Sequence, residues 1–441
     1  MRIVSFWARG FRSLRDVRVD GLGAFNVLYG PNGSGKSNFL AAIRILLALA
    51  AATARDERFP LGAPNIERAR AARAARLVSR EDLCARDPSR VIVLGAHLSS
   101  NGSPSPVLVP GYLELPDLEL EVTFDWLIDQ EPRLSISKLR SEGHDLHAPW
   151  ADPRDHERLR ALLLEGLVCN YALVSADRAP RTETTAKPPD DEDVVLWHLR
   201  QGRLKSALLA AQIGPSHETR RRLTALRALL AGPPLNRPPF DPVQDPRTGI
   251  VDIREVLPEP NPDGRDVSLD LAGLGIAQIY WILGQTMLSG ARAVGIEEPE
   301  AHLHAPTTGR DLRLLLARLV HEGHIDQLFI ATHSNLFDLD DTGFFDVQLD
   351  NGETKVTRKT LAEIDQHLYE PGPTLHALEE LLSIAPADKV MFRRPDGSPV
   401  TAIEMVKLLR ESNPIALDYL RTLHAAAVDV VGLRNRRGRS S

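Results

Sequence analysis

The feature that most limits how this chain can fold is a glycine-rich segment near its start, Gly30-Pro-Asn-Gly-Ser-Gly-Lys36-Ser37. It matches the pattern G-x-x-x-x-G-K-[ST], whose backbone N–H groups surround phosphate groups. An apolar run of strand length, Phe25–Tyr29, precedes it, and helix formers over Ser37–Ala50 follow it. Phosphate binding needs this order of strand, loop and helix, because the helix N-terminus favours an anion. The segment therefore predicts a nucleotide-binding loop.

Residues of this loop have distinct tasks in holding a nucleotide. Lys36 is expected to reach the β- and γ-phosphates of the nucleotide, and the Ser37 hydroxyl is expected to bind Mg²⁺. We assign nucleotide binding to the loop and the residue after it: Gly30, Asn32, Gly33, Ser34, Gly35, Lys36, Ser37 and Asn38.

Two carboxylates, Glu297 and Glu298, directly follow a second apolar run, Arg292–Ile296. In phosphoryl-transfer sites one acid at a strand end holds the metal, and its neighbour orients or deprotonates the attacking water. We assign the metal to Glu297 and the catalytic role to Glu298. A solvated acidic turn is the alternative for this segment alone, and the phosphate loop upstream favours catalysis.

A histidine follows the third apolar run, Gln327–Ala331. Ligands bind at the carboxyl ends of strands in open α/β sheets, so His333 is expected at the site. We assign it a catalytic role, in which it donates a hydrogen bond to the γ-phosphate and holds the attacking water. His302 and His304 lack further ligands at metal spacing, so packing or helix capping is expected for them.

Buried strands that alternate with helices predict an α/β fold around a parallel sheet. Short strand-like runs between residues 91 and 138 predict an antiparallel subdomain, and the proline-dense stretch 233–246 predicts a linker. We divide the chain into an N-terminal ATPase lobe (1–50), an inserted β-rich and helical subdomain (51–265), a C-terminal ATPase lobe (266–345) and a helical extension with a basic tail (346–441).

Composition narrows the class of protein. The chain has 441 residues, a net charge of −6 and two cysteines, so neither a global basic field nor a disulfide framework is expected. The sequence has no apolar run of membrane-spanning length and no secretory signal, which predicts a cytoplasmic protein. Arg73, Arg76 and Arg80 fall on one face of a predicted basic helix, which would suit either a solvated surface or contact with nucleic-acid phosphates.

Three segments together resemble ABC-type ATPases of the OLD/RecF-like group: WARGFRSLRDV…FNVLYGPNGSGKSNFLAAI, GIEEPEAHLHAP and QLFIATHSN. The resemblance implies a P-loop ABC-type ATPase head that uses ATP and Mg²⁺ and forms a homodimer or higher oligomer with ATP between two heads. It places Arg12 near the nucleotide. It also identifies Asp270–Gln278 as a signature segment, whose Gly273, Gly275 and Gln278 would complete the site of a second chain. Tyr171–Arg178 resembles a Ser-Ala-x-Arg segment of these ATPases and receives no role from the sequence.

The chain departs from OLD nucleases after His333. The acidic residues Asp338, Asp340 and Asp341 do not follow a predicted strand, as the acidic motif of a Toprim nuclease would, so a solvated loop is expected for them and no nuclease is expected in this chain. The resemblance implies an ATPase whose dimerisation controls a separate effector, such as a separately encoded nuclease, or a nucleic-acid transaction, in prokaryotic anti-phage defence or DNA repair. The alternative is the ATP-binding subunit of an ABC transporter, which the long insertion and the missing Q-loop disfavour. Sustained heptads for an SMC arm and an N-K-x-D motif for a GTPase are absent from the sequence.

Overall fold

A computed structural model describes residues 2–54, 78, 80–84, 91–99, 117–125, 133–141, 144–145, 171–178, 181–184, 193–256, 266–301, 303, 306–334, 337, 343–359, 389–394 and 398–410. The chain divides into two compact units, Met1–Leu368 and Tyr369–Ser441. The predicted basic helix around Arg73 and Arg76, the histidines His302 and His304, and the acidic residues Asp338, Asp340 and Asp341 lie outside the described residues.

The strands of the first unit, in chain order, are β1 (Arg2–Phe11), β2 (Leu14–Asp20), β3 (Phe25–Tyr29), β4 (Val91–Ser99), β5 (Asp117–Asp125), β6 (Arg133–Ser141), β7 (His144–Asp145), β8 (Tyr171–Val174), β9 (Glu183–Thr184), β10 (Phe240–Gln244), β11 (Ile250–Glu255), β12 (Val267–Ser268), β13 (Ala293–Glu297), β14 (Gln327–Thr332), β15 (Gly343–Asp350) and β16 (Glu353–Lys359). Its helices are α1 (Lys36–Ala54), α2 (Val194–Arg200), α3 (Leu204–Ile213), α4 (His217–Ala231), α5 (Leu274–Ser289) and α6 (Pro306–His321), with short 3₁₀ turns at Arg80–Asp82 and Leu269–Leu271.

The central sheet has the order β16-β15-β3-β14-β13-β8 and is parallel except for the antiparallel edge strand β16. Its central strands are buried on both faces, and every residue of β3 and β14 is buried, which explains why these strands are predominantly apolar. Leu28 and Phe329 belong to the core that includes α1, whereas Val27 and Ile330 belong to the core that includes α5 and α6. This confirms the predicted α/β fold.

An antiparallel sheet of order β2-β1-β4-β5-β6-β7 covers α1. Residues alternate between buried and partly exposed along β5, so that Leu118, Leu120, Val122 and Phe124 join the α1 core. The ring of Phe6 in β1 meets that of Phe39 in α1 at a centroid distance of 5.0 Å. The strands β4, β5 and β6 are thus antiparallel, as the sequence predicts, and β4 pairs with β1 at the start of the chain.

The other face of the central sheet is covered by helices and by a small sheet of order β10-β11-β12, with β9 paired to β11. The 193–232 region consists of the three helices α2, α3 and α4. The prediction of a linker over 233–246 is wrong in part, because β10 lies within it. β10 is an edge strand, and an edge position tolerates Pro242, which has no N–H to donate.

The described part of the second unit contains β17 (Val390–Arg393), β18 (Pro399–Thr401) and α7 (Ala402–Arg410). β17 and β18 form an antiparallel pair, and α7 follows β18 directly. Among the described helices of the whole chain, none is long and apolar enough to cross a membrane.

Candidate nucleotide-binding site

The glycine-rich loop runs from the end of β3 to the start of α1, as the sequence predicts. Gly30 lies so close to β15 that an added Cβ would come within 2.0 Å of the Val347 carbonyl oxygen. Gly35 has a φ of +105°, and an added Cβ would lie 2.0 Å from Thr354 Oγ1 in β16. Only glycine satisfies both the backbone conformation and the close packing at this second position.

The ammonium of Lys36 is folded back onto its own loop. Nζ donates to the carbonyl oxygens of Gly30 at 2.7 Å and Pro31 at 2.9 Å, and the residue is 5% exposed. Burial lowers the pKa of Lys36, and the charges of Glu298 and Glu300 oppose that shift. Lys36 is thus placed where phosphate oxygens of a bound nucleotide would replace the loop carbonyls as acceptors.

Polar side chains from distant parts of the chain support the loop from behind. Thr354 Oγ1 donates to the Ser34 carbonyl at 2.8 Å and is 2.7 Å from Ser13 Oγ. Ser13 Oγ also accepts from Asn38 Nδ2 at 2.7 Å. These bonds fix the loop and the first turn of α1 relative to β16, and neither Ser13 nor Thr354 was predicted from the sequence to lie at the site.

Arg12 lies beside the first turn of α1. Its backbone has a φ of +49°, Nε donates to Asp82 Oδ1 at 2.8 Å, and Nη1 donates to Asn38 Oδ1 at 3.3 Å. The backbone N–H of Arg12 also donates to the Asp82 carbonyl at 2.6 Å. Arg12 is therefore held next to the loop, and a direct nucleotide contact stays a prediction.

An open cavity of about 150 Å³ lies over the loop, and it brings the loop and one of the predicted carboxylates together. Its lining residues are Asn32, Gly33, Ser34, Gly35, Lys36, Ser37, Asn38, Glu298 and Ala331. Segments nearly 300 residues apart in the sequence thus share one wall, because β3, β13 and β14 are parallel and end at the same edge of the sheet.

The two assigned carboxylates differ in their surroundings. Glu298 has a left-handed backbone, with a φ of +41°, and its N–H donates to the Ala331 carbonyl at 2.7 Å. Glu297 is the last residue of β13, and its Oε2 accepts from the N–H of Ala176 at 3.3 Å. Glu298 lines the cavity, whereas Glu297 does not.

Mg²⁺ binds oxygen ligands, and of the two residues assigned to it Ser37 lines the cavity, whereas Glu297 does not. Ser37 is exposed in the cavity wall. Glu297 lies on the same face of the sheet as Gly295, because alternate residues of a strand share a face. That face is the one covered by α1, since Gly295 packs on Tyr171, whose hydroxyl donates to the Leu40 carbonyl of α1 at 3.4 Å. Among the described residues, no cluster of three or more His, Cys, Asp or Glu could hold a metal ion.

A glutamate that the sequence did not assign, Glu300, contacts His333. Its side chain is 9% exposed, and Oε1 accepts from Thr332 Oγ1 and from the His333 N–H at 3.2 Å. The His333 Nδ1 lies 3.4 Å from the same oxygen, and the imidazole is about half exposed. Oε2 is buried without a hydrogen-bond partner among the described residues. His333 thus sits at the expected strand end, next to a buried carboxylate.

The signature segment is split by the fold. Gly273 caps α5 with a φ of +89° and is exposed, and Gly275 lies in the first turn of that helix. Gln278, by contrast, is 1% exposed and hydrogen bonds Arg178 of the same chain. The exposed start of the helix is accessible to a second chain. The side chain of Gln278 is buried in this conformation and is not accessible.

Arg178, which received no role from the sequence, contacts the carboxylate turn directly. Its buried guanidinium donates to the backbone carbonyls of Glu297 and Glu298, both at 2.6 Å. Burial lowers the pKa of Arg178 to about 10, against the opposing charges of Glu300, Glu297 and Glu298. In the sequence, the resemblance of Tyr171–Arg178 to a Ser-Ala-x-Arg segment is the feature that singles out this arginine.

Comparison with known proteins supports a P-loop. A family model described as "AAA domain, putative AbiEii toxin, Type IV TA system" matches residues 25–75, which contain the loop and α1. No curated protein matches the chain significantly. The chain has the strand, loop and helix of a P-loop nucleoside triphosphatase, and the narrower resemblance to OLD and RecF proteins stays a prediction.

Similar solved structures include three SMC heads. An SMC head bound to the C-terminal winged-helix domain of ScpA is 14% identical, with 82% of this chain and 99% of that chain covered and a TM-score of 0.47. The SMC head domain from Thermotoga maritima is 15% identical, with 82% and 100% covered and a TM-score of 0.41. An Smc head with an extended coiled coil, bound to the C-terminal domain of ScpA derived from Pyrococcus furiosus, is 13% identical, with 86% and 99% covered and a TM-score of 0.43. These values describe a distant likeness.

Proposed function

We propose that this chain is a Mg²⁺-dependent ATPase of the ABC type. The observation that carries the proposal is the cavity in which Lys36, Ser37 and Glu298 line one wall. A phosphate cradle alone would fit any nucleotide-binding protein, whereas a carboxylate in the same cavity can act on a water beside the γ-phosphate. Glu298 is the proposed base, and His333 holds the γ-phosphate or the water.

Two variants test this activity. Glu298→Gln keeps the size of the side chain and removes its basicity, so it should bind ATP normally and lose at least a hundredfold in turnover. Lys36→Ala should lose ATP binding itself, because the β- and γ-phosphates lose their cation. Turnover in a phosphate-release assay and ATP affinity by calorimetry separate the two effects. Wild-type turnover in Glu298→Gln would exclude Glu298 as the base.

The active unit is proposed to be a dimer with ATP between two heads. The exposed Gly273 and the partly exposed Gly275 at the start of α5 support this, and Leu271 and Leu274 beside them are 80% and 51% exposed. Apolar side chains at such exposure favour contact with another protein surface. Turnover per chain should therefore fall on dilution, and ATP should trap a dimer of Glu298→Gln. Constant turnover on dilution to a monomer would rule the dimer out.

The biological role proposed is control of a separately encoded effector, such as a nuclease, or of a nucleic-acid transaction in prokaryotic anti-phage defence or DNA repair. The family description, which names a putative toxin of a type IV toxin–antitoxin system, is in keeping with a defence role. Duplex DNA added at two salt concentrations tests the nucleic-acid part. Stimulation of ATP turnover by DNA that weakens steeply with salt would support contacts with the DNA phosphates. Turnover that does not change when DNA is added would favour a protein effector.

A further inference from the structure

The buried guanidinium of Arg178 connects three segments of the chain. Arg178 is 2% exposed. Its Nε donates to Gln278 Oε1 at 2.7 Å, and Nη1 donates to the carbonyls of Ser175 at 2.7 Å and Glu297 at 2.6 Å. Nη2 donates to the carbonyl of Glu298 at 2.6 Å. One side chain thus joins the end of β8, the carboxylate turn after β13, and helix α5.

At the carboxylate turn, these bonds hold an unfavourable backbone. Glu298 has a φ of +41°, a region that residues with a Cβ adopt where the surroundings hold them. Its N–H is fixed by the Ala331 carbonyl at 2.7 Å, and its carbonyl is fixed by Arg178. The direction of the Glu298 side chain depends on this backbone, so the Arg178 guanidinium helps to orient the carboxylate of the proposed base.

At the other end, the same guanidinium is tied to α5. Gln278 is 1% exposed, and its Nε2 donates back to the Arg178 carbonyl at 3.2 Å while its Oε1 accepts from Nε. Gln278 lies in the second turn of α5, and Gly273 caps the exposed start of that helix. A displacement of the helix start would therefore shift Arg178 through the two hydrogen bonds that join it to Gln278.

We propose that Arg178 is a positioning residue for Glu298, and that Gln278 makes the position of Glu298 depend on α5 of the same chain. This inference rests on the proposed function, in which Glu298 activates water. It gives Gln278 a role within its own chain, whereas the signature resemblance assigns it a contact across the dimer. In an ATP-bridged dimer, the helix start that meets one nucleotide would be linked to the base that acts on the other.

The first test replaces Arg178 by lysine. Lysine keeps the charge but lacks the planar fork that reaches four acceptors, so the carboxylate turn loses part of its support. Arg178→Lys should lower kcat 10- to 100-fold, with the KM for ATP and the ATP affinity within threefold of wild type, because small displacements of catalytic groups cost rate more than binding.

Arg292→Lys is the matched control, because Arg292 lies at the opposite end of β13, where it donates to the Gly323 carbonyl at 2.9 Å and pairs with Asp326. It should leave kcat within twofold, whatever it does to the melting temperature. A folded Arg178→Lys with kcat within threefold of wild type overturns the proposal. So does a parallel loss of kcat in both lysine variants.

The second test places Gln278→Met in defined dimers and leaves Arg178 intact, so it decides the question even when Arg178→Lys does not fold. Met keeps the length of the side chain and removes the amide. In the first pairing, a Gln278→Met chain is mixed with a Lys36→Ala chain, so the one competent phosphate loop belongs to the altered chain. In the second pairing, a wild-type chain is mixed with a Lys36→Ala/Gln278→Met chain, so the altered residue faces the competent loop only across the dimer.

A role within the chain predicts that the first pairing loses at least tenfold in turnover relative to the second, with heterodimers verified by two affinity tags. The reverse pattern, or equal activity in both pairings, overturns the proposal. If the protein turns over ATP as a monomer, a tenfold loss of kcat in Gln278→Met alone supports it, and unchanged kcat refutes it. An active wild type with unaffected variants refutes only this inference, whereas a wild type without ATP hydrolysis refutes the proposed function as well.

Discussion

Two glycines of the phosphate loop offer a matched pair of perturbations. Gly33 has a φ of +79° and Gly35 a φ of +105°, so alanine is conformationally unfavourable at both positions. They differ in their surroundings. An added Cβ at Gly33 meets no atom within 4 Å, whereas at Gly35 it would come within 2.0 Å of Thr354 Oγ1 and 2.9 Å of Ser13 Oγ.

The expected magnitudes follow from this difference. Gly33→Ala should lower the free energy of unfolding by about 1–2 kcal/mol, the cost of a left-handed conformation for a residue with a Cβ. Gly35→Ala carries that cost and adds about 1–3 kcal/mol, because the new methyl group crowds a packed wall. The second variant should also bind ATP more weakly, since Ser13 and Thr354 hold the loop in shape.

Urea unfolding with unchanged m-values measures the first effect, and calorimetry with ATP measures the second. Adding Thr354→Ala to Gly35→Ala removes the nearest atom, so the double variant should be more stable than the sum of the two single losses by about 1 kcal/mol or more. Equal destabilisation by Gly33→Ala and Gly35→Ala would refute the reasoning. So would strict additivity of Gly35→Ala with Thr354→Ala.

Two further predictions concern the groups around the cavity. Glu300→Gln removes the charge beside His333 and should lower kcat about tenfold with little change in ATP affinity, because the imidazole loses the carboxylate that orients it; steady-state kinetics that match wild type would contradict this. ATP affinity should fall with rising pH and begin to fall below pH 10.5, because burial lowers the pKa of Lys36 and the phosphates need its charged form. Calorimetry in two buffers of different ionisation enthalpy should detect proton uptake on ATP binding in this range; ATP binding without proton uptake there would contradict the reasoning.

Much of the central sheet could be predicted from the sequence. β3, β13 and β14 are buried on both faces of a parallel sheet, which makes each of them predominantly apolar. Since parallel strands end at one edge, the polar residues after those runs also could be expected to meet. The structure confirms that Lys36 and Glu298 line the same cavity.

Other parts leave no periodic signal in the sequence. Thr354 contacts Ser13, which lies 341 residues earlier, and nothing in the local pattern of either segment marks that contact. Three of the four acceptors of the Arg178 guanidinium are backbone carbonyls, which every residue carries, so the side chains of Ser175, Glu297 and Glu298 do not reveal these contacts. β10 was missed for a different reason, since proline is a strand breaker in the sheet interior and is tolerated at an edge.

The β15–β16 hairpin has a consequence for how the molecule is made. The loop at Gly30 is synthesised early, but the wall behind it consists of Val347 and Thr354, which emerge more than 300 residues later. Closing such long-range contacts is slow and waits for the distant strand to be available. A growing chain that has not yet reached Lys359 therefore contains β3, the glycine-rich loop and α1, but lacks the β15–β16 wall that packs against the loop. On the proposed function, we therefore expect ATP binding only after synthesis of the central sheet is complete.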